Sequence, residues 1–172
     1  MGGEALTQAA ADRAPAHARL VNYYGPTEVS IWATRRDCGV GARRSLDRLP
    51  SIGTPLPNVT CYVVDDVVGE AAPRLLPIGS FGELWLGGAQ VARGYLRRAD
   101  LTAAKFTPLP WAGTDPSGHG VVYRTGDRVR WTAAGELEFG GRLDLQVKLR
   151  GQRIELGEIE HALRNQVIAL IT

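Results

Sequence analysis

Cysteine is nearly missing from this chain. Cys38 and Cys61 are the only two in 172 residues, which excludes a disulfide framework and any cysteine zinc pattern. Histidine is almost as sparse, with His17, His119 and His161 far apart, so no histidine metal motif arises. No apolar run approaches the ~20 residues that a membrane-spanning helix needs. Charge of one sign is lacking too: 20 Lys and Arg against 18 Asp and Glu leave +2. That is too little to make nucleic acid or an anionic membrane the main partner. The first residues carry Glu4 in an Ala-rich stretch without a basic region or an apolar core, unlike a secretory signal, and Leu6 stands where myristoylation requires Ser or Thr. These absences favour a reducing, cytoplasmic setting and leave small charged ligands as candidates for binding.

What is present is globular and turn-rich. Hydrophobic residues make up 44% and charged residues 22%, outside the disordered range. The 21 glycines and 10 prolines are nearly a fifth of the chain, against a usual share of about 12%. The length suits one domain, or one domain and the beginning of another. Residues 1–20 read as a short helix or loop entering a strand near Leu20-Val21. From Val59 onward β-prone runs recur: Thr60–Val64, Gly82–Leu86, Val121–Tyr123, Arg128–Trp131 and Glu136–Phe139. Ala134-Gly135 reads as a hairpin turn, so the middle of the chain is expected to be an antiparallel sheet or a small open barrel. Thr107 to Gly120 is Pro- and Gly-rich and reads as a surface loop. A boundary is expected at Gly140–Asp144, followed by a hairpin of Gln146–Leu149 and Arg153–Leu156. Ile159, Ala162, Leu163 and Val167 then recur at helical spacing, and that helix cannot bury its apolar face alone.

Three stretches could carry chemistry. Asn22-Tyr23-Tyr24-Gly25-Pro26-Thr27-Glu28 puts an aromatic, a tight turn, a hydroxyl and a carboxylate in one loop. The ring could stack on a base for about 1–3 kcal/mol, Gly25 could let backbone approach a phosphate, Thr27 could donate to it and Glu28 could ligate Mg²⁺. The same residues also read as a capped turn in which Thr27 and Glu28 open a helix. Tyr123-Arg124-Thr125-Gly126-Asp127 places a carboxylate after a Gly turn at a strand end, either for the paired hydroxyls of a ribose or as a solvated turn residue. Gly82 to Leu96 lacks the Lys-Ser/Thr of a phosphate loop and the strand–turn–helix context of a dinucleotide fingerprint, so it reads as a structural strand and glycine turn. Cys38 and Cys61 read as ordinary small residues and His161 as solvated.

Taken together, Asn22–Glu28, Gly82–Leu96, Tyr123–Asp127 and Gly141–Glu160, in that order and spacing, resemble consecutive core motifs of the adenylation domain of non-ribosomal peptide synthetases, within the adenylate-forming superfamily. The last motif is long enough to favour peptide synthetases over acyl-CoA synthetases or luciferases. The resemblance implies a β-rich α+β fold. Residues 1–141 would be the C-terminal part of the large subdomain, its sheet core ending in a small antiparallel β-barrel-like region. Residues 142–150 would hold the hinge and the start of the hairpin, and 151–172 the beginning of the small subdomain.

The resemblance also implies activity and roles. ATP and Mg²⁺ would convert an amino acid to its aminoacyl adenylate, and the acyl group would pass to a phosphopantetheine thiol on a peptidyl carrier domain within a multidomain synthetase. Tyr24 would stack on adenine with Asn22 beside the base, Thr27 would contact the α-phosphate and Glu28 would hold the metal. Asp127 would bind the ribose hydroxyls and Arg142 would support that side. Tyr23, Ile31 and Trp32 would line the side-chain pocket, suiting a small or medium uncharged amino acid. Asp144 would be the hinge, and Lys148, Arg150 and Gly151 would belong to the hairpin that swings in for thiolation. The family's Ser/Thr/Gly-rich phosphate loop and its Asn-Gly-Lys-type segment with the catalytic lysine do not occur in this sequence. The chain therefore reads as an internal piece that is inactive alone. A non-catalytic nucleotide-binding or docking module, a plain β-rich structural domain and another adenylate-forming ligase such as an acyl-CoA synthetase are the competing readings.

Overall fold

The computed structural model describes residues 6–7, 12–40, 51–65, 72–111, 120–144, 146–149, 152–155, 157, 159–160 and 162–164. In chain order the elements are β1 (Arg19–Tyr24), a 3-10 turn (Thr27–Val29), β2 (Thr34–Val40), β3 (Ser51–Pro55), β4 (Val59–Val64), β5 (Gly82–Gly88), α1 (Ala99–Lys105), β6 (Phe106–Pro108), β7 (Val121–Trp131), β8 (Leu137–Arg142), β9 (Gln146–Leu149) and β10 (Gln152–Glu155). Eight strands form one antiparallel sheet in the order β1-β2-β3-β8-β7-β5-β4, with β6 beside β7. β9 and β10 form a separate hairpin with Gln152 opposite Leu149. The fold is thus the expected β-rich α+β arrangement, and among the described residues the sheet is open, with β1 and β4 as its two unpaired ends.

The period of two in β4, β5 and β7 sends alternate residues to two apolar layers. Val59, Val63, Leu84, Leu86, Tyr123 and Val129 join one cluster with Val29, Ala33 and Leu137. Tyr62, Val64, Trp85 and Val122 face the other way and meet Leu109 and Trp111. With both faces covered and with β7 and β4 paired on its two sides, every residue of β5 is buried. Burying a full aliphatic side chain contributes about 1.5–3 kcal/mol, so this two-sided centre is the rigid platform for the edges. Burial also pushes the Cys61 thiol up to about 12, in keeping with an inert residue.

Three expectations change in detail. The runs expected at Val121–Tyr123 and Arg128–Trp131 are one strand, β7, so Thr125-Gly126-Asp127 lies inside a strand and not in a turn at its end. Asn22–Tyr24 are the last residues of β1, and the helix at Thr27-Glu28 is a single 3-10 turn. Beyond the expected strands the structure adds β2, β3, β6 and α1. The turn at Ala134-Gly135 and the hairpin after Asp144 are where expected. The described residues between 157 and 164 are helical, with Ile159 and Leu163 exposed. Arg150, Gly151, Leu156, His119, His161 and Val167 lie outside the described residues. Among the described residues no helix is long and apolar enough to cross a membrane.

Candidate functional site

The site begins with a bend in β7. Gly126 has φ +71, a conformation that costs glycine little and other residues more. The β5–β7 register shifts between Glu83 and Trp85 on β5, and the β7–β8 register shifts between Asp127 and Val129 on β7. Glu83, 4% exposed, holds the bend from β5: its Oε1 accepts from the Gly126 amide at 3.0 Å and its Oε2 from Trp85 Nε1 and Arg124 Nη2, both at 2.9 Å. Thr125 completes the brace by donating from Oγ1 to the Leu84 carbonyl at 2.7 Å and accepting from the Asp127 amide at 2.9 Å. These bonds fix the direction of the Asp127 side chain. Glu83 falls in the Gly82–Leu96 stretch that reads as structural, where it shows only as a lone acid inside an apolar strand.

Asp127 gathers three expected site residues around itself. The Tyr24 hydroxyl donates to Oδ2 at 2.5 Å across 103 residues of sequence. Arg142 Nη1 donates to Oδ1 at 2.9 Å and to the Thr125 carbonyl at 2.9 Å. The same guanidinium grips Asp144 with Nε to Oδ1 at 2.8 Å and Nη2 to Oδ2 at 2.5 Å, the two-point geometry that arginine makes with carboxylates. Burial alone would lower the Arg142 pKa, but the hydrogen bond to Asp144 and the charges of Asp127 and Asp144 raise it above its ordinary value. Burial first, then the charge and hydrogen bond of Asp127, hold the Tyr24 phenol well above 10.0. At neutral pH Tyr24 is therefore a donor.

The turn after β1 forms a second cluster. The space a side chain at Gly25 would need is filled by the chain itself, since an added Cβ would lie 2.5 Å from the Ile31 carbonyl oxygen and 2.6 Å from the Ala33 amide. The close approach at Gly25 is thus to its own turn. Ser30 and Ile31 both adopt positive φ, 52 and 77, which for residues other than glycine costs roughly 1–3 kcal/mol each. Ile31 and Trp32 are exposed, and the Trp32 ring stacks on Tyr23 with centroids 4.5 Å apart. Thr27 is exposed, whereas Glu28 is buried and its Oε1 accepts from the Tyr95 hydroxyl at 2.7 Å. Asn22, also buried, donates from Nδ2 to the Ser51 carbonyl at 2.9 Å and so ties β1 to β3. The loop after β5, structural by its sequence, closes over this turn through Gln90, Ala92 and Tyr95.

A nucleotide and a metal make specific demands on these donors. A carboxylate offers about four lone-pair sites on two oxygens, so Asp127 can hold Tyr24 on Oδ2 and Arg142 on Oδ1 and still suit the two hydroxyls of a ribose, one at each oxygen. The half-buried Tyr24 ring next to it supplies an apolar face. Among the described residues no group of three or more His, Cys, Asp or Glu could hold a metal. Glu28 alone fits Mg²⁺ only as that ion is usually held with nucleotides, by one or two carboxylates together with phosphates. Lys148 is in β9, in the separate hairpin, opposite Arg153.

The model of the family described as "AMP-binding enzyme" matches residues 1–96. The chain is 48% identical over 165 residues to phosphinothricin tripeptide synthetase PhsC of Streptomyces viridochromogenes, a match covering 96% of this chain and 14% of that protein. It is 46% identical over 164 residues to tyrocidine synthase 3 of Brevibacillus parabrevis, a match covering 94% of this chain and 2% of that protein. Among solved structures it resembles an artificially fused adenylation–PCP di-domain NRPS, NpsA-ThdA, from Klebsiella oxytoca, with a TM-score of 0.74 and 31% identity over 95% of this chain and 29% of that chain. The chain spans only a small part of the length of each.

Proposed function

The chain belongs to the AMP-binding enzyme family, and from that premise we propose that it is the nucleotide- and amino-acid-facing segment of a peptide-synthetase adenylation domain. The observation that carries this reading is the meeting of Tyr24, Asp127 and Arg142, from three separate strands, around one buried carboxylate. In the proposed reaction a carboxylate oxygen of an amino acid bonds to the α-phosphorus of ATP while the bond to the leaving pyrophosphate breaks. The demand on the protein is positioning and charge neutralisation.

The proposed roles are those the family resemblance implies for these positions. Asp127 accepts the ribose hydroxyls, held in direction by Arg142 and the Thr125 brace. The Tyr24 ring packs on adenine while its hydroxyl stays on Asp127, and Asn22 secures the strand that presents it. The exposed Thr27 contacts the α-phosphate. Glu28, steadied by Tyr95, is the carboxylate for Mg²⁺, which when bound neutralises phosphate charge. Tyr23, Ile31 and Trp32 form a wall against the amino-acid side chain, with two aromatics and no charge, which suits a small or medium uncharged substrate. Asp144, between the end of β8 and the start of β9, is the hinge. The β9–β10 hairpin, with Lys148, Arg150 and Gly151, moves in for transfer to a phosphopantetheine thiol on a peptidyl carrier domain. Residues 1–141 then belong to the large subdomain, 142–150 to the hinge region and 151–172 to the small one, in a cytoplasmic multidomain synthetase.

The test is calorimetric binding of a hydrolysis-resistant aminoacyl adenylate analogue to a complete adenylation domain containing this segment. Binding that ATP and the amino acid each displace, and that Asp127→Ala weakens, is expected. Binding unaffected by ATP, or by substitution at both Tyr24 and Asp127, would overturn the reading.

A further inference from the structure

Gln90 lies in the loop after β5, inside the Gly82–Leu96 stretch that reads from its sequence as structural, yet it holds both ends of a strained turn. Its Nε2 donates to the Val29 carbonyl at 3.1 Å and to the Trp32 carbonyl at 2.8 Å. An amide nitrogen has two hydrogens, so each carbonyl receives one. Between those carbonyls lie Ser30 and Ile31, two consecutive residues with positive φ. The grip is mutual, because Ser30 Oγ donates to the Gln90 carbonyl at 3.0 Å. Unfavourable backbone conformations persist only where surrounding structure dictates them; here backbone bonds to the Pro26 and Thr27 carbonyls hold the turn from within, and Gln90 braces it from another segment. The residues that it bends into place, Ile31 and Trp32, present their side chains outward, with Trp32 against Tyr23.

We propose that Gln90 is a positioning residue for amino-acid selection: by bridging the Val29 and Trp32 carbonyls it sets where Ile31 and Trp32 stand, and so fixes the shape of the pocket wall without touching substrate. This rests on the reading of Tyr23, Ile31 and Trp32 as that wall. Its consequence is a separation of effects. The Asp127 cluster is held by Glu83, Thr125 and Arg142, whereas the Gln90 side chain bonds the turn after β1, so loss of the Gln90 bridge acts first on the amino-acid wall and spares the ribose-holding Asp127 cluster.

The experiment has two arms. In the 172-residue chain, the indole N–H signal of Trp32 is followed by NMR, assigned through Trp32→Phe, with Trp85, Trp111 and Trp131 as internal reporters of the fold. Gln90→Glu keeps the side chain's shape and removes both donors, while Gln90→Lys keeps donors at the end of the chain. Gln90→Glu is expected to move the Trp32 signal and leave the other three in place, and Gln90→Lys to restore part of the shift. A Trp32 signal unmoved by Gln90→Glu and by Gln90→Ala overturns the proposal, as does a uniform change at all four tryptophans in both variants.

In a complete adenylation domain containing this segment, Gln90→Glu is expected to raise KM for the preferred amino acid about tenfold, the scale of two net hydrogen bonds, with a clearly smaller rise in KM for ATP. Equal rises in both KM values, or a rise for ATP alone, overturn the selection role. Absence of amino-acid-dependent activity in the unsubstituted domain instead refutes the adenylation reading, and the Trp32 signal then still decides whether Gln90 sets the turn.

Discussion

Replacing Asp127 with alanine tests the ribose assignment, and its effects divide into two measurable parts. On the binding side, two hydrogen bonds to a carboxylate are lost, each worth about 1.5–3 kcal/mol. A loss of at least ~3 kcal/mol corresponds to about a hundredfold or greater fall in kcat/KM for ATP. On the folding side, truncating one partner of a buried ion pair costs about 3–5 kcal/mol when the other charge is stranded. Arg142 is not stranded, because it keeps both bonds to Asp144 and one to the Thr125 carbonyl. The Tyr24 hydroxyl and one guanidinium hydrogen lose their acceptor, so the expected destabilisation is smaller, about 1–3 kcal/mol. The assay is ATP–pyrophosphate exchange in a complete adenylation domain containing this segment, with amino acid saturating and rates scaled to folded protein. A urea melt of the same variant isolates the folding cost. A fall in kcat/KM for ATP of less than threefold would return Asp127 to a purely structural role in the β7 bend.

Three further outcomes follow from the same geometry. The folded-state pKa of Tyr24 lies above the unfolded value of about 10, so its contribution to stability is fully present below pH ~10 and is lost as pH rises through the folded value; urea melts at rising alkaline pH should show that loss, and Tyr24→Phe should flatten it. Gly126→Ala should destabilise the chain by about 1–2 kcal/mol, because alanine resists φ +71 and its Cβ would lie 2.9 Å from Asp144 Oδ2 and 3.0 Å from Arg142 Nη2; an unchanged urea midpoint would contradict this. Asp144→Pro, which fixes a torsion at the proposed hinge, should keep at least one of adenylation and thiolation while impairing the other in the complete protein, and equal retention of both would count against a hinge there.

The strands legible in the sequence are those buried on both faces or alternating cleanly. Thr60–Val64 and Gly82–Leu86 are dense in β-branched and large apolar residues because their side chains fill the two apolar layers of the sheet. β2, Thr-Arg-Arg-Asp-Cys-Gly-Val, and β3, Ser-Ile-Gly-Thr-Pro, show no such pattern, since their stability comes from pairing with neighbouring strands, β1 and β3 for β2 and the distant β8 for β3, and not from their own propensity. The bend at Gly126 misled in the same way: Thr-Gly-Asp has the composition of a turn, and the side-chain brace from Glu83 and Thr125, with the pairing to β8, keeps it inside β7. For the site, spacing showed the inventory of Asn22–Glu28 and the isolated Asp127, whereas their meeting depends on contacts across more than a hundred residues that periodicity does not encode. The family resemblance supplied that link. Gln90 and Tyr95 stand inside the Gly82–Leu96 motif, yet neither spacing nor resemblance gave them a role, because they act on backbone and carboxylate groups of another segment.

The most direct test of the central claim is amino-acid-dependent ATP–pyrophosphate exchange, measured over a panel of amino acids with a complete adenylation domain containing this segment and with the 172-residue chain alone. Exchange driven by a small or medium uncharged amino acid in the complete domain, with none from the chain alone, is the predicted result: the sequence holds neither a phosphate loop nor an Asn-Gly-Lys-type lysine segment, and removing one such electrostatic element costs about 10²–10³ in rate. Robust exchange by the chain alone, or a complete domain that binds ATP yet exchanges with no amino acid in the panel, would contradict the account.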